Sequence, residues 1–536
     1  MTAQNATRSK PRRKRSRSNR RQTLQKPNGV IAPRVKKVGG DRFAILCVDP
    51  AKQRSEWMMA DYFGNLLIEP ATVEHQAVAI DSMILTVKEA IKQHNIGDLL
   101  VTVERTGNYH RLIQRAFNKA GYEVRVVHPF ATKQYRMPAD PGNKTDPTDL
   151  FAQHRAAVAG FGLCEFPLPP LYQTLQLQVR HRRDLVEKST AIACQVREHL
   201  HLNMPKYPNL FSNFFSHRAA IEVARHVSTP QQIVDLGVQG LQKFLREMNV
   251  TFQKRTVEKI FVWAQQTAKL ELGKLHTLHH AIWTDLHDLH RSIGQRIVSL
   301  EAEIAGNLAL TPYVRLLAIP GINVVSAADF AGEMGPISHY ANSNAITGRS
   351  GLFPSRYQSD QTDNAGSIVR CANRRLHAAL MRIADNLANR NATFRLTATA
   401  DAVAKVDKRS TRVKIAKRFS RIAMACVAGD EPLRHACCQD PHSIIEKLRL
   451  FHYQHGTSLE VALVDLENAI SQLPMKTCGL EAEMVSISLE HQARSRRGPT
   501  KLGELLPSVL AKLNVAVSQS PQPPALTPQE ETTVSS

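Results

Sequence analysis

The sequence predicts an α/β domain near the N-terminus followed by a longer, mostly helical remainder. Three observations carry this. Short continuous apolar runs at Phe43–Val48 and Leu99–Val103 have the length and β-branched content of buried strands, and each stops at an acid. Apolar residues between and after them recur at helical spacing. From about residue 170 onward the helical period takes over, with a second organised segment starting near Thr311.

The bulk properties narrow the partners. The chain of 536 residues is long enough for three or more domains with cores of their own. A formal charge of +23 points to a polyanion, and nucleic acid is the commonest one. No apolar run reaches membrane-spanning length and no apolar signal segment opens the chain, so no membrane partner and a cytoplasmic, nucleoid-associated location are expected. Eight cysteines without a CxxC or Cys/His ligand pattern read as reduced thiols.

Residues 1–38 read as a disordered basic tail. Arg12, Arg13, Lys14 and Arg15 lie among Ser and Asn with no apolar anchor, and should contact phosphate backbones. Residues 39–165 read as the α/β domain. After the first strand, Ser55–Asp61 and Asn65–Glu69 flank a turn containing Gly64 and form the next two antiparallel strands. Residues 76–93 make a helix, Leu99–Val103 a buried strand, Arg111–Ala120 a helix and Val124–Val127 a further strand. A last helix opens at Asn143-Lys144-Thr145-Asp146-Pro147-Thr148-Asp149, with Asp146 expected as its N-cap and Pro147 at the first helical position.

Three antiparallel strands followed by alternating helix and strand is the order of an RNase H-like domain. Asp49 and Glu104 then end neighbouring strands, where open α/β sheets place their sites. Asp146 and Asp149, three apart, share one helical face. Singly, each acid is a turn or capping residue; together the four form a crowded carboxylate set that calls for Mg²⁺ or Mn²⁺. Two such ions would clamp the attacking and leaving oxygens of a phosphodiester. A kinase of actin-like fold also starts with an acid on its first strand, but Pro50-Ala51-Lys52 replaces the Gly-rich phosphate loop.

Val48-Asp49-Pro50-Ala51-Lys52, Glu104-Arg105-Thr106-Gly107-Asn108-Tyr109-His110 and Lys144-Thr145-Asp146-Pro147-Thr148-Asp149 resemble the acidic motifs of the DEDD transposases of bacterial insertion sequences, a group that includes the Piv-type DNA invertases. The resemblance runs through His181-Arg182-Arg183-Asp184-Leu185-Val186 and spans roughly residues 42–430. It implies a RuvC-like N-terminal domain whose catalytic, metal-holding acids are Asp49, Glu104, Asp146 and Asp149.

Residues 166–310 read as a helical, coiled-coil-like region for oligomerisation. Leu175, Val179, Leu185, Ile192, Val196 and Leu200 share a face, and Pro205 and Pro208 end the run. Leu275, Leu278, Ile282, Leu286, Leu289, Ile293, Ile297, Leu300 and Ile304 form the stripe of a long amphipathic helix that a partner helix would bury. Five histidines on it (His276, His279, His280, His287, His290) lack an acid or cysteine to complete a metal set.

Residues 311–430 form the second functional domain. Leu316–Ile322 before an apolar helix from Val324 has the form of a helix-hairpin-helix turn, which can hold a DNA phosphate on backbone amides, or of an ordinary interhelix turn. Asn323 stands where the family often has a second glycine. Ser350–Asp360 reads as a Gly/Pro-rich loop, in which serines are usually solvated. The resemblance places the family's nucleophilic serine at Ser359, after Tyr357 and Gln358, with Ser355 as the fallback; Asp360 replaces the glycine usual after it. Arg370, Arg374 and Arg375 would balance scissile-phosphate charge, with Lys144 and the tail as further nucleic-acid contacts. A basic helix over 412–428 closes the domain, residues 431–505 read as a helical extension without an assigned role, and 506–536 as a disordered tail.

The family likeness implies a transposase that cuts and rejoins DNA through a covalent phosphoserine, guided by a structured RNA pairing with donor and target DNA, in a dimer or tetramer. The rival reading is a hydrolytic RuvC-like nuclease in which water attacks. A binding-only protein with structural carboxylates is the third.

Overall fold

The computed structural model describes residues 29–474, apart from 138–141, 143–144, 166–167, 271–272, 360–361, 370–371, 432 and 440. Arg12, Arg13, Lys14, Arg15, Lys144, Asp360 and Arg370 thus lie outside the described residues, as do the C-terminal tail and the end of the 431–505 extension. The chain forms two compact units that divide after Pro167.

The first unit is a mixed α/β sheet domain. Its elements are α1 (Ala32–Val38), β1 (Phe43–Pro50), β2 (Arg54–Asp61), β3 (Leu66–Glu74), α2 (Ala77–Gln93), β4 (Asp98–Glu104), α3 (His110–Lys119), β5 (Glu123–Val127), α4 (Pro129–Arg136), α5 (Asp146–Val158) and β6 (Leu163–Cys164). The six strands lie in the order β3-β2-β1-β4-β5-β6. β1, β2 and β3 pair antiparallel, β1, β4 and β5 pair parallel, and β6 closes the far edge antiparallel.

Alternation along the strands splits the core into two faces. Ala44, Leu46 and Val48, with Leu99, Val101 and Val103, pack with Ile80, Val87, Ile113 and Phe117 of α2 and α3. Phe43, Ile45 and Cys47, with Leu100, pack with Leu150 and Ala157 of α5. β3 runs five residues past its expected end at Glu69, through Pro70. A proline is tolerated there because β3 is an edge strand. α4 was not foreseen; Pro129 supplies its first residue, and His128 Nδ1 accepts the Phe130 N–H at 3.1 Å.

Among the described residues, the second unit is helical but for one hairpin. It contains α6 (Pro170–Asn203), α7 (Arg218–His226), α8 (Pro230–Glu247), α9 (Lys254–Thr267), α10 (His276–Ala309), α11 (Val324–Met334), α12 (Ser343–Arg349), β7 (Pro354–Ser359), β8 (Thr362–Ile368), α13 (Arg374–Arg390), α14 (Ala392–Val403), α15 (Lys408–Ala428), α16 (His442–Gln454) and α17 (Leu459–Ser471). The 34-residue helices α6 and α10 pack along one another. Leu300 and Ile304 of the α10 stripe are buried in the main core, whereas Leu275, Leu278 and Leu289 stay exposed. A smaller core around Tyr207, Trp263 and Trp283 holds α7 to α9. The α10 histidines are used in packing: His280 contacts the Ala224 carbonyl, His287 faces Arg225 and His290 lies on Phe215.

The turn before α11 corrects one expectation. A 3-10 helix (Pro312–Ala318) precedes it instead of an α-helix. Gly321 adopts φ +96° and abuts the Asn386 carbonyl, so the turn is packed against α13. Lys447 Nζ donates to the carbonyls of Leu317 and Ile322, the latter at 3.3 Å. Asn323 Oδ1 accepts the Ser326 amide at 2.9 Å in a capping box, consuming a donor that a phosphate would need. The structure favours the ordinary interhelix turn.

Candidate active site

Strand alternation puts Asp49 on the Cys47 side of β1 and Glu104 on the Thr102 side of β4. Cys47 and Thr102 pair across the two strands, and the Thr102 hydroxyl lies 3.4 Å from Cys47 Sγ. Both acids therefore sit one pleat beyond that pair, at the carboxyl edge and on the face that α5 covers. Two polar contacts pin the helix there. Gln153 Nε2 donates to Thr102 Oγ1 at 3.2 Å, and the His154 ring meets the Asp61 carbonyl at 2.8 Å. Asp61 pairs with Ala44, near the start of β1, so α5 runs back from the carboxyl edge. Asp149, one turn before Gln153, is thereby carried toward the edge that bears Asp49 and Glu104.

Asp49 and Glu104 are half-buried, Asp149 is buried at 7 % exposure and Asp146 is exposed. The N-cap is Thr145, not Asp146. Its hydroxyl accepts the Thr148 amide at 3.4 Å while Thr148 reaches back to the Thr145 amide. Thr145 keeps the extended backbone a cap requires, and Asp146 and Pro147 become the first two helical residues. Asp146 and Asp149 both lie in the first turn, and neither carboxylate serves as the cap.

Asp149 is ion-paired with Arg136, the last residue of α4, and both side chains are largely buried. Sequence reasoning missed this partner because α4 itself was missed. The pairing offsets the charge of Asp149. Four all-oxygen donors suit a hard divalent ion. Among the described residues, however, no three His, Cys, Asp or Glu side chains stand close enough to hold one in this arrangement. Nearby, His110 opens α3 with its ring buried, 3.6 Å from Glu165, and burial lowers its pKa most.

In the second unit, the described part of the stretch predicted as a loop is mostly strand. It includes β7, which pairs with β8 from Pro354↔Ile368 to Ser359↔Thr362. The alternating Ser-Arg-Tyr-Gln-Ser pattern was the overlooked signal. Ser359 ends β7 at the exposed tip of this hairpin. The Ser355 hydroxyl instead donates to the Ser367 carbonyl at 3.0 Å. Gly351, at φ +67°, closes the base, where a Cβ would stand 2.7 Å from that of Ala372. Asn373 caps α13, accepting the Arg375 and Leu376 amides at 3.0 and 3.1 Å, and exposed Arg374 and Arg375 begin the helix.

A buried ionic network ties this cap to α6. Glu333 of α11 is fully buried; Arg180 donates to both its oxygens at 2.9 Å, and Asn373 Nδ2 donates at 3.2 Å. Burial alone would push the Glu333 carboxyl up, but these donors outweigh it and hold it below the usual range. Asp329, one turn earlier, meets Arg382 at 2.7 Å and Arg183 at 3.6 Å. There burial wins, and the carboxyl is raised. Arg182, from the same basic motif as Arg183, pairs with Glu301 of α10 at 2.5 Å.

Residues 46–205 match a family model described as a transposase (DEDD_Tnp_IS110), and residues 313–398 match one described as transposase of the IS116/IS110/IS902 family. The first match spans all four acids and the second spans the hairpin and α13. No curated protein matches the chain.

Proposed function

We propose that this DNA transposase, which belongs to the DEDD transposases of insertion sequences, cuts and rejoins strands through a covalent link to Ser359. The observation that supports it most is the partition of the chemistry. The first matched segment brings Asp49, Glu104 and Asp149 to one edge and one face of a sheet, and the second presents a serine on an exposed hairpin tip. The sheet order is that expected of an RNase H-like, RuvC-like domain.

Asp49, Glu104, Asp146 and Asp149 would hold Mg²⁺ or Mn²⁺, which when bound polarises the scissile phosphate and neutralises its charge. The Ser359 hydroxyl gives up its proton and attacks phosphorus. The bond from phosphorus to one deoxyribose oxygen breaks, and that sugar leaves as a hydroxyl carrying a proton. A hydroxyl of the new partner strand reverses the exchange, so rejoining needs no ATP. Arg374 and Arg375 offset the phosphate charge. A structured guide RNA and a dimeric or tetrameric assembly belong to the same reading; the net charge of +23 is consistent with holding RNA and DNA alike.

The test is to denature the protein after reaction with DNA carrying the element's ends, and to map adducts by mass spectrometry. A nucleotide on the tryptic peptide 357–370, absent from Ser359→Ala, is expected. An adduct on Ser355 would move the nucleophile, and cut DNA without any adduct would establish the hydrolytic route.

A further inference from the structure

Behind the hairpin lies a cavity of about 610 Å³ that shares only Arg374 with the chemistry above. Its volume falls within the roughly 300–1,000 Å³ of small-ligand sites. One part of its wall is apolar, from Ile368, Val369, Ala372 and Met381. The other part is basic, from Arg374 at the start of α13 and Arg409 and Arg412 on α15. Asp385 pairs with Arg412 and so offsets one of the three charges. His377 adds a polar edge. Its Nδ1 donates to the Ser350 carbonyl, which can only accept, at 3.0 Å, leaving Nε2 for a further polar contact.

A second observation points to an anion. Arg374 and Arg375 occupy the first turn of the 17-residue α13, whose partial positive end they reinforce. Cations there are unfavourable by a few tenths of a kcal/mol each, and an anion reverses the sign. An apolar wall beside uncompensated arginines matches neither a bare anion nor a neutral molecule. It matches a nucleotide, with its phosphate toward the arginines and its sugar and base against the aliphatic wall.

We propose that this cavity seats one unpaired nucleotide of the DNA strand being cut, and so holds that strand in register beside the hairpin. DNA is favoured over RNA because Ile368 of the cavity wall lies at the base of β8, whose other end pairs with Ser359, so a strand laid along the hairpin reaches both. The proposal rests on the transposase reading.

The experiment uses the full-length protein and a single-stranded DNA carrying 5-iodouracil, irradiated and digested with trypsin. The peptide Leu376–Arg382 contains both His377 and Met381. A nucleotide adduct on it is expected in the wild type. Arg409→Ala should reduce that adduct roughly five- to tenfold and lower the salt slope of binding by about one, as for loss of one phosphate contact, with an unchanged melting temperature. Adducts elsewhere on the chain but none on this peptide would overturn the proposal and leave the transposase reading standing. No adduct anywhere would overturn both. An adduct on this peptide from iodouridine-labelled RNA but not from DNA would make it an RNA site and overturn the assignment.

Discussion

Replacing Glu333 by alanine tests whether the buried network holds the second unit together. Glu333 is fully buried, while the Arg180 side chain keeps 31 % exposure. Removing one partner of a buried pair costs about 3–5 kcal/mol when the other charge is stranded. Arg180 can partly rehydrate, so the lower end applies, and the orphaned Asn373 amide contributes the remainder. A net loss of about 3 kcal/mol lowers the melting temperature by roughly 6–12 °C in a domain of this scale. Asp329→Asn should cost less, because burial already raises that carboxyl toward its neutral form. The pH dependence fixes the sign. Glu333 has a depressed carboxyl, so its contribution is present above the unfolded value of about 4.3 and is lost as pH falls through the lower folded value. Calorimetry of both variants from neutral to acid pH is the assay, with the gap between wild type and Glu333→Ala closing in acid. A Glu333→Ala melting temperature within about 1 °C of wild type at neutral pH would refute the reasoning.

Three further perturbations follow from the acidic edge and the basic tail. Asp49→Asn and Glu104→Gln should each abolish strand cleavage in a gel assay while leaving the protein folded, since each removes one charged ligand from the proposed metal set; retained cleavage would return these residues to a structural role. Arg136→Gln removes the guanidinium that occupies Asp149, so Mn²⁺ titrated calorimetrically into DNA-free protein should bind several-fold tighter; weaker binding would show that Arg136 positions the carboxylate instead of competing for it. Deleting residues 1–38 should weaken DNA binding and flatten its dependence on salt, each lost phosphate contact reducing the slope by about one; an unchanged slope would show that Arg12, Arg13, Lys14 and Arg15 never reach the backbone.

Buried strands and their acids were legible because a central strand has one outcome: Phe43–Val48 is apolar on both faces, and only Asp49 breaks the run. Elements whose formation depends on neighbours were not. β6 is two residues long and exists only because β5 offers an edge. α4 carries a small apolar face, Ala131 and Tyr135, and packs against α5. The hairpin was misread as a loop because all six residues of β7 are solvent-exposed, so no burial pattern distinguishes it from a turn-rich segment. The long stripe on α10 was correctly periodic, yet its period could not say that α6 of the same chain would cover part of it.

The exposure of the hairpin also constrains the proposed chemistry. A serine hydroxyl is a poor nucleophile at neutral pH and needs an activating base or cation. At a solvent-facing tip, water both competes as nucleophile and screens any charge brought near. A reaction that makes phosphoserine in preference to hydrolysis therefore has to occur after the tip is covered, and the occupant that arrives with the reaction is the DNA strand itself. The four acids and Ser359 lie on separate compact units. On this reading, Arg136 keeps the charge of Asp149 compensated until substrate arrives, and cleavage by free protein in the absence of cognate ends would contradict it.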